Sequence, residues 1–296
     1  MPNKRSIRLS SMAVLAAIGT TFGAASAAEE GAAQSQLIMT SALNSFVHQT
    51  VASACMINAD VAVQTEMQEL ADMRNTFNAH LTTLVADGKI AEDDAVFVGW
   101  RPFDESISMI LAGDRPDAYI KTMKKAQPAL EFATLALLDE SVNAYGEAEG
   151  ATTSEILTLD LLERQDILIH KIKLQACEMA AETPSVEAKA TLDDLVDLYQ
   201  VSLTALTNGM PEVGIAAPTD YAANQVLAAA SFDWRNMQPV LQSIAENGTA
   251  TSTELHGLQV RSTTLGNRMA ALGDIYLAPA VDDAAPRVAS LVGAAD

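Results

Sequence analysis

"RQDILIHKIKLQAC", residues 164–177, and "LNSFVHQTVASAC", residues 43–55, decide how this chain is read. Each ends on one of its two cysteines, and each carries a histidine seven positions earlier. At a constant offset of 122, His48 falls on His170, Ala54-Cys55 on Ala176-Cys177, Leu70 on Leu192, Asp72 on Asp194, Leu81-Thr82 on Leu203-Thr204 and Leu84 on Leu206. With Ala59 on Ala181, that makes 9 identities over the 37 ungapped positions 48–84. After a gap of 12 residues, "WRPF" at 100–103 falls on "WRNM" at 234–237, so both tryptophans pair as well. Because the rare residue types coincide, the chain reads as a duplication rather than a chance match of two Ala/Leu-rich segments.

Each copy reads as four helices. The composition supports this: 49% of residues are hydrophobic but only 5% aromatic, with Gly and Pro sparse, a balance suited to long helices. In the second copy a helix is expected from about Ser154 to Glu182, behind the cap-like Thr152-Thr153-Ser154 and ended at Thr183-Pro184, with Pro184 able to open the next. That next helix carries Leu192, Leu195, Tyr199, Leu203 and Leu206 at steps of 3 and 4, one apolar face. The first copy repeats the spacing at Leu70, Met73, Phe77, Leu81 and Leu84. Helices over 220–247 and 252–277 follow, the last with Leu255, Leu258, Ser262, Leu265, Met269, Leu272 and Tyr276 in a 3-4 alternation. The 12 extra residues of the second copy fall in "PEVGIAAPTDYA", a loop with Pro and Gly. Between the copies lies the turn-forming "GEAEGATTS", 146–154.

Residues 1–27 have the form of an export signal. Lys4, Arg5 and Arg8 precede an apolar run from Met12 to Ile18 and the small triplet Ala25-Ser26-Ala27. The expected product is cleaved near Ala27 and is periplasmic or secreted, with no direct membrane insertion thereafter. Residues 28–148 and 151–279 form the two copies, and 280–296, with two prolines and no sustained period, reads as a flexible tail. The net charge of −20 becomes more negative by three without the leader's cations. Such a surface repels nucleic acid and anionic lipid.

At this point the residues resemble a known family. "RQDILIHKIKLQAC" is similar to the first-helix signature of the type IV pilus chemotaxis transducer N-terminal (PilJ-type) domain, an Arg-Gln-Arg-Met-Leu-Ser-Gln stretch followed by a basic-apolar run and often Ala-Cys. "DDLVDLYQVSLTALTNG", a Pro-containing loop, "FDWRNMQPVLQSIAENG" and "NRMAALGDIY" follow that domain's order. The resemblance implies an all-α fold of two tandem four-helix up-down bundles, like the extracytoplasmic sensory inputs of chemoreceptors and nitrate/nitrite sensor kinases. It further implies a small ligand, and a membrane-bound transducer or sensor kinase as the partner that reads it. In nitrate sensors the second Arg of the signature grips the anion; Asp166 and Asn44 stand there in the two copies. A carboxylate does not favourably face nitrate in a confined site, which argues against that ligand. By the same analogy Arg164 and Gln165 are candidate polar ligands; independently of it, Trp234 and Arg235 offer a stacking face and an anion-gripping guanidinium, and His170 completes the candidate set.

Each marked residue also has a plainer reading. His48 and His170 lie about 10 Å along a helix axis from their cysteines, beyond the reach of direct ligands to one metal ion; they read as polar contacts between helices. A pseudo-two-fold packing of the copies through their first helices would bring Cys55 and Cys177 together, and export permits a disulfide. The reading preferred from sequence alone keeps them as two buried small apolar side chains. Each Trp reads as a core or seam residue, with the following Arg in solvent. No nucleophile elbow, Cys-x-x-Cys, His-Glu-x-x-His or phosphate-binding Gly loop occurs. The expectation is therefore a non-enzymatic sensory or ligand-binding protein with no cofactor; the alternative is a structural or adaptor protein of the envelope.

Overall fold

A computed structural model of the chain describes residues 10–181 and 185–278, with residues 10–30 as backbone only. The described residues are all-helical. They form α1 (Ser10–Asn58), α2 (Val63–Ala86), α3 (Ala95–Leu111), α4 (Asp117–Glu149), α5 (Thr153–Ala181), α6 (Val186–Asn208), α7 (Tyr221–Asn247) and α8 (Ser252–Leu277). The expected leader falls largely on residues whose side chains are not described, and the expected tail, 280–296, lies outside the described residues. Among the described residues, no helix is long and apolar enough to cross a membrane.

Local chemistry explains the boundaries. Asp94, Ser185, Asp220 and Thr251 each accept a hydrogen bond from a backbone N–H of the first turn they precede, satisfying donors a helix start leaves orphaned. Thr251 and Glu254 complete a reciprocal capping box. Thr152 and Glu155 exchange the same pair of contacts at the start of α5. The second helix of the second copy begins at Val186 behind Ser185, whose hydroxyl supplies the cap; Pro184, expected to be able to open it, lies outside the described residues. Gly150 and Gly248 close α4 and α7 with positive φ. The expected loop of the second copy contains a short 3-10 turn, Pro211–Val213, and an isolated bridge from Met210 to Ile215. It folds back so closely that a Cβ on Gly209 would meet the Ala217 nitrogen at 2.6 Å.

Consecutive helices pack on one another and the fourth returns to the first: α1 on α2, α2 on α3, α3 on α4, α4 on α1, and likewise α5 through α8. The predicted apolar faces point inward. Leu70, Met73, Phe77, Leu81 and Leu84 are buried in one cluster with Trp100 and Phe103. Leu192, Tyr199, Leu203 and Leu206 are buried in another with Trp234 and α8's Leu255, Leu258, Leu265, Met269 and Leu272. Leu195 is only partly buried, at the rim of that cluster.

The two sets of helices meet through α1 and α5. Asn44 contacts Glu163, Ser45 contacts Asp166, and Cys55 is disulfide-bonded to Cys177. The sequence separations of these pairs, 119, 121 and 122, stay nearly constant. The two helices therefore run parallel, and their register matches the duplication. Cys55 and Cys177 are buried, as small apolar side chains would be, but they are also covalently joined at a Cα separation of 6.2 Å. Equivalent residues on parallel, register-matched helices face each other, and that brings the two sulfurs together.

Candidate functional site: the polar seam between α1, α4 and α5

A helix–helix contact in a protein of this hydropathy is ordinarily apolar. The α1–α5 contact instead carries a line of polar groups extending to α4. Asn44 Nδ2 donates to Glu163 Oε1 at 2.6 Å, and Thr134 of α4 donates to Asn44 Oδ1 at 3.0 Å. Ser45 donates to Asp166. One turn on, Gln127 Nε2 lies 2.9 Å from His48 Nδ1, and His48 Nε2 lies 3.0 Å from Glu131 Oε1. Lys171 reaches the same carboxylate oxygen at 3.3 Å. With the Gln127 amide donating, Nδ1 is the acceptor and the neutral imidazole carries its proton on Nε2, which donates to Glu131.

Burial sets the charge states. It pushes the His48 pKa down and so keeps the ring neutral. Glu131 is held well below the usual carboxylate range, first by the hydrogen bond from His48 and further by the Lys171 ammonium. Glu163 is pushed up to about 8 by burial, with Asp160 and Asp166 adding to the rise and the Asn44 amide opposing it. It is therefore a neutral acid at pH 7. His170 is lowered to about 4 by burial; Asp166, 3.8 Å away, only partly offsets this. Its Nδ1 is buried without a hydrogen-bond partner.

The sequence candidates do not converge on one place. Arg164 is solvent-exposed and held to its own helix by Asp160, with Nε to Oδ2 at 2.8 Å. Gln165, fully buried, donates to the Tyr199 carbonyl at 3.1 Å and to the Ser202 hydroxyl, bracing α5 against α6. His170 belongs to the seam. Trp234 is buried against Tyr199, ring centroids 4.1 Å apart, and its indole N–H donates to Gln200 Oε1 at 2.9 Å. Arg235 lies in solvent, bonded to the Ser231 carbonyl. The first copy builds the same device. Trp100 stacks on Phe77 at 3.7 Å and donates to Asn78 Oδ1 at 2.9 Å; Phe77 and Asn78 are the equivalents of Tyr199 and Gln200.

Sequence reasoning missed Glu131, Glu163, Lys171 and the buried pair Lys173–Glu66. Lys173 Nζ lies 2.7 Å from Glu66 Oε1, with the two side chains 2% and 0% exposed. One signal was available: Lys173 is the counterpart of Val51, and Glu66 of Ala188. A charge standing where the other copy has an apolar residue marks a place where the copies differ in chemistry. Among the described residues, no group of three or more His, Cys, Asp or Glu is placed to hold a metal ion. Comparisons with protein-family models, curated proteins and solved structures return no significant match.

Proposed function

We propose that this chain is an exported, non-enzymatic sensory or ligand-binding module, built as two tandem up-down four-helix bundles of the PilJ-like type, whose state is read by a membrane-bound transducer or sensor kinase. The observation that carries this reading is the parallel, register-matched α1–α5 pair with its polar seam. The seam is only partly satisfied, because His170 Nδ1 is buried without a hydrogen-bond partner, and a partly satisfied polar network gains from a rearrangement that supplies one, whereas a fully satisfied network is rigid. A ligand preferring one arrangement of α4 and α8 against the α1–α5 pair shifts the population toward it. The disulfide ties the pair near the C-terminal end of α1, so sliding of α1 along α5 is suppressed, and the motion left is at the far end and in the outer helices.

Thermal melting of the full chain against a panel of small anions and metabolites tests the reading. Concentration-dependent stabilisation by at least one candidate is expected; no shift with any of them counts against ligand sensing. The same disulfide favours a second reading, a rigid envelope adaptor that offers helical faces to a partner. A stable partner bound equally well with and without every panel compound selects the adaptor.

A further inference from the structure

The duplication supplies an internal control for the cleft between the second and third helices of each copy. In the first copy Arg74 of α2 clasps Asp104 of α3, Nε to Oδ1 at 2.7 Å and Nη2 to Oδ2 at 3.3 Å. Asn78 adds a bond to the same carboxylate at 3.1 Å. The offset of 122 places Val196 where Arg74 stands, and the offset of 134 places Gln238 where Asp104 stands. Gln238 keeps the bond across the helices, 3.0 Å to Gln200 Oε1, but Val196 has no guanidinium to fill the space. Leu111 is likewise replaced by Ala245. Two long side chains are exchanged for short ones at one place, and a groove of 460 Å³ lies there between α6 and α7.

The rim has changed with the volume. Met67, Ala71 and Ala112 of the first copy correspond to Lys189, Asp193 and Glu246, all of which line the groove. Its walls thus carry one ammonium, two carboxylates and the amides of Gln238 and Gln242, over an aliphatic floor of Val196, Leu241 and Ala245. A simple anion would meet the two carboxylates, and a simple cation the lysine. A molecule bearing both charges beside a short aliphatic portion can meet Lys189 and a carboxylate together and bury its apolar part on the floor.

We propose that the α6–α7 groove of the second copy is a binding site for a small aliphatic zwitterion of the size and charge pattern of a branched-chain amino acid. This rests on the ligand-binding reading above and names its site and ligand class. Calorimetric titration of the full chain with L-leucine, and with isopentylamine and 4-methylpentanoate as single-charge arms, tests it. Saturable leucine binding is expected, at least tenfold tighter than either arm, and weakened at least tenfold by Lys189→Ala and by the double substitution Val196→Arg/Gln238→Asp. The double substitution installs the ion pair of the first copy; should its helical circular dichroism be lost, Ala245→Leu fills the same groove with the same expected loss.

Three results overturn the proposal: no saturable leucine binding, unchanged affinity in the groove-filling variants, or an arm binding as well as leucine. Where one of these results is obtained and a panel compound still stabilises wild type and groove-filling variants equally, the ligand-binding reading stands and only this site is removed.

Discussion

Glu163 and His170 stand two turns apart on α5, and their protonation affects stability in opposite directions. Glu163 keeps its proton in the fold up to about pH 8 and releases it near 4.5 when unfolded. Between those values the native state holds more protons, so this residue makes stability fall as pH rises. His170 is neutral in the fold down to about pH 4 but protonates near 6.5 when unfolded. Across that window the unfolded state holds more protons, and this residue makes stability fall as pH drops. Glu163→Gln retains an oxygen for the Asn44 amide and removes the titration. It is expected to gain on wild type from pH 4.5 to 8, by about 1–3 kcal/mol at the upper end. His170→Gln is expected to gain on wild type from pH 6.5 down to 4. Urea denaturation of the three proteins at pH 4, 6 and 8 checks both; differences from wild type that do not vary with pH would remove these residues as the titrating groups.

At the scale of elements, α2 and α5 are joined by a buried ion pair whose counterparts in the duplication are apolar. Removing one partner leaves a desolvated charge, so Lys173→Val or Glu66→Ala alone is expected to cost about 3–5 kcal/mol. The double substitution transplants Val51 and Ala188 of the opposite copies and is expected to recover part of that loss, since it removes both buried charges but leaves the site less filled. A double-mutant cycle by chemical denaturation measures the coupling, and additive losses would show that the pair is not coupled. The pair also marks what a linear reading of this chain can reach. The apolar faces of α2, α6 and α8 were legible because burial on a helix imposes a 3-4 spacing on the sequence itself. The end of α7 at Asn247 and the start of α8 at Ser252 were legible because caps are local chemistry, Gly248 closing the one and Thr251 opening the other. The seam was not: Asn44 meets Glu163, and His48 meets Glu131, across separations of 119 and 83 residues, and nothing local to either residue records its partner. The histidines drew attention only because the duplication repeats them.

For the whole molecule, the disulfide is the one covalent tie between the two sets of helices other than the chain itself. It spans 122 residues, the repeat length. Because equivalent positions face each other across the α1–α5 contact, the bond does not have to drag the helices into register; hydrogen bonds from Asn44 and Ser45 hold the same alignment about three turns away. Its main effect is thus expected in the unfolded chain, where closing a loop of this length removes conformational freedom worth about 4–5 kcal/mol in the chain-entropy model. Cys55→Ala/Cys177→Ala should keep the helical circular dichroism and the melting cooperativity of the native protein while losing about 2–5 kcal/mol in denaturant. A protease site inserted in the turn at residues 150–152, between α4 and α5, gives the complementary measurement. After cutting, the two halves should migrate together in denaturing gels without reductant and apart with it. If the double-alanine protein loses its native helicity, the polar seam does not hold the register alone, and the disulfide is what aligns α1 with α5.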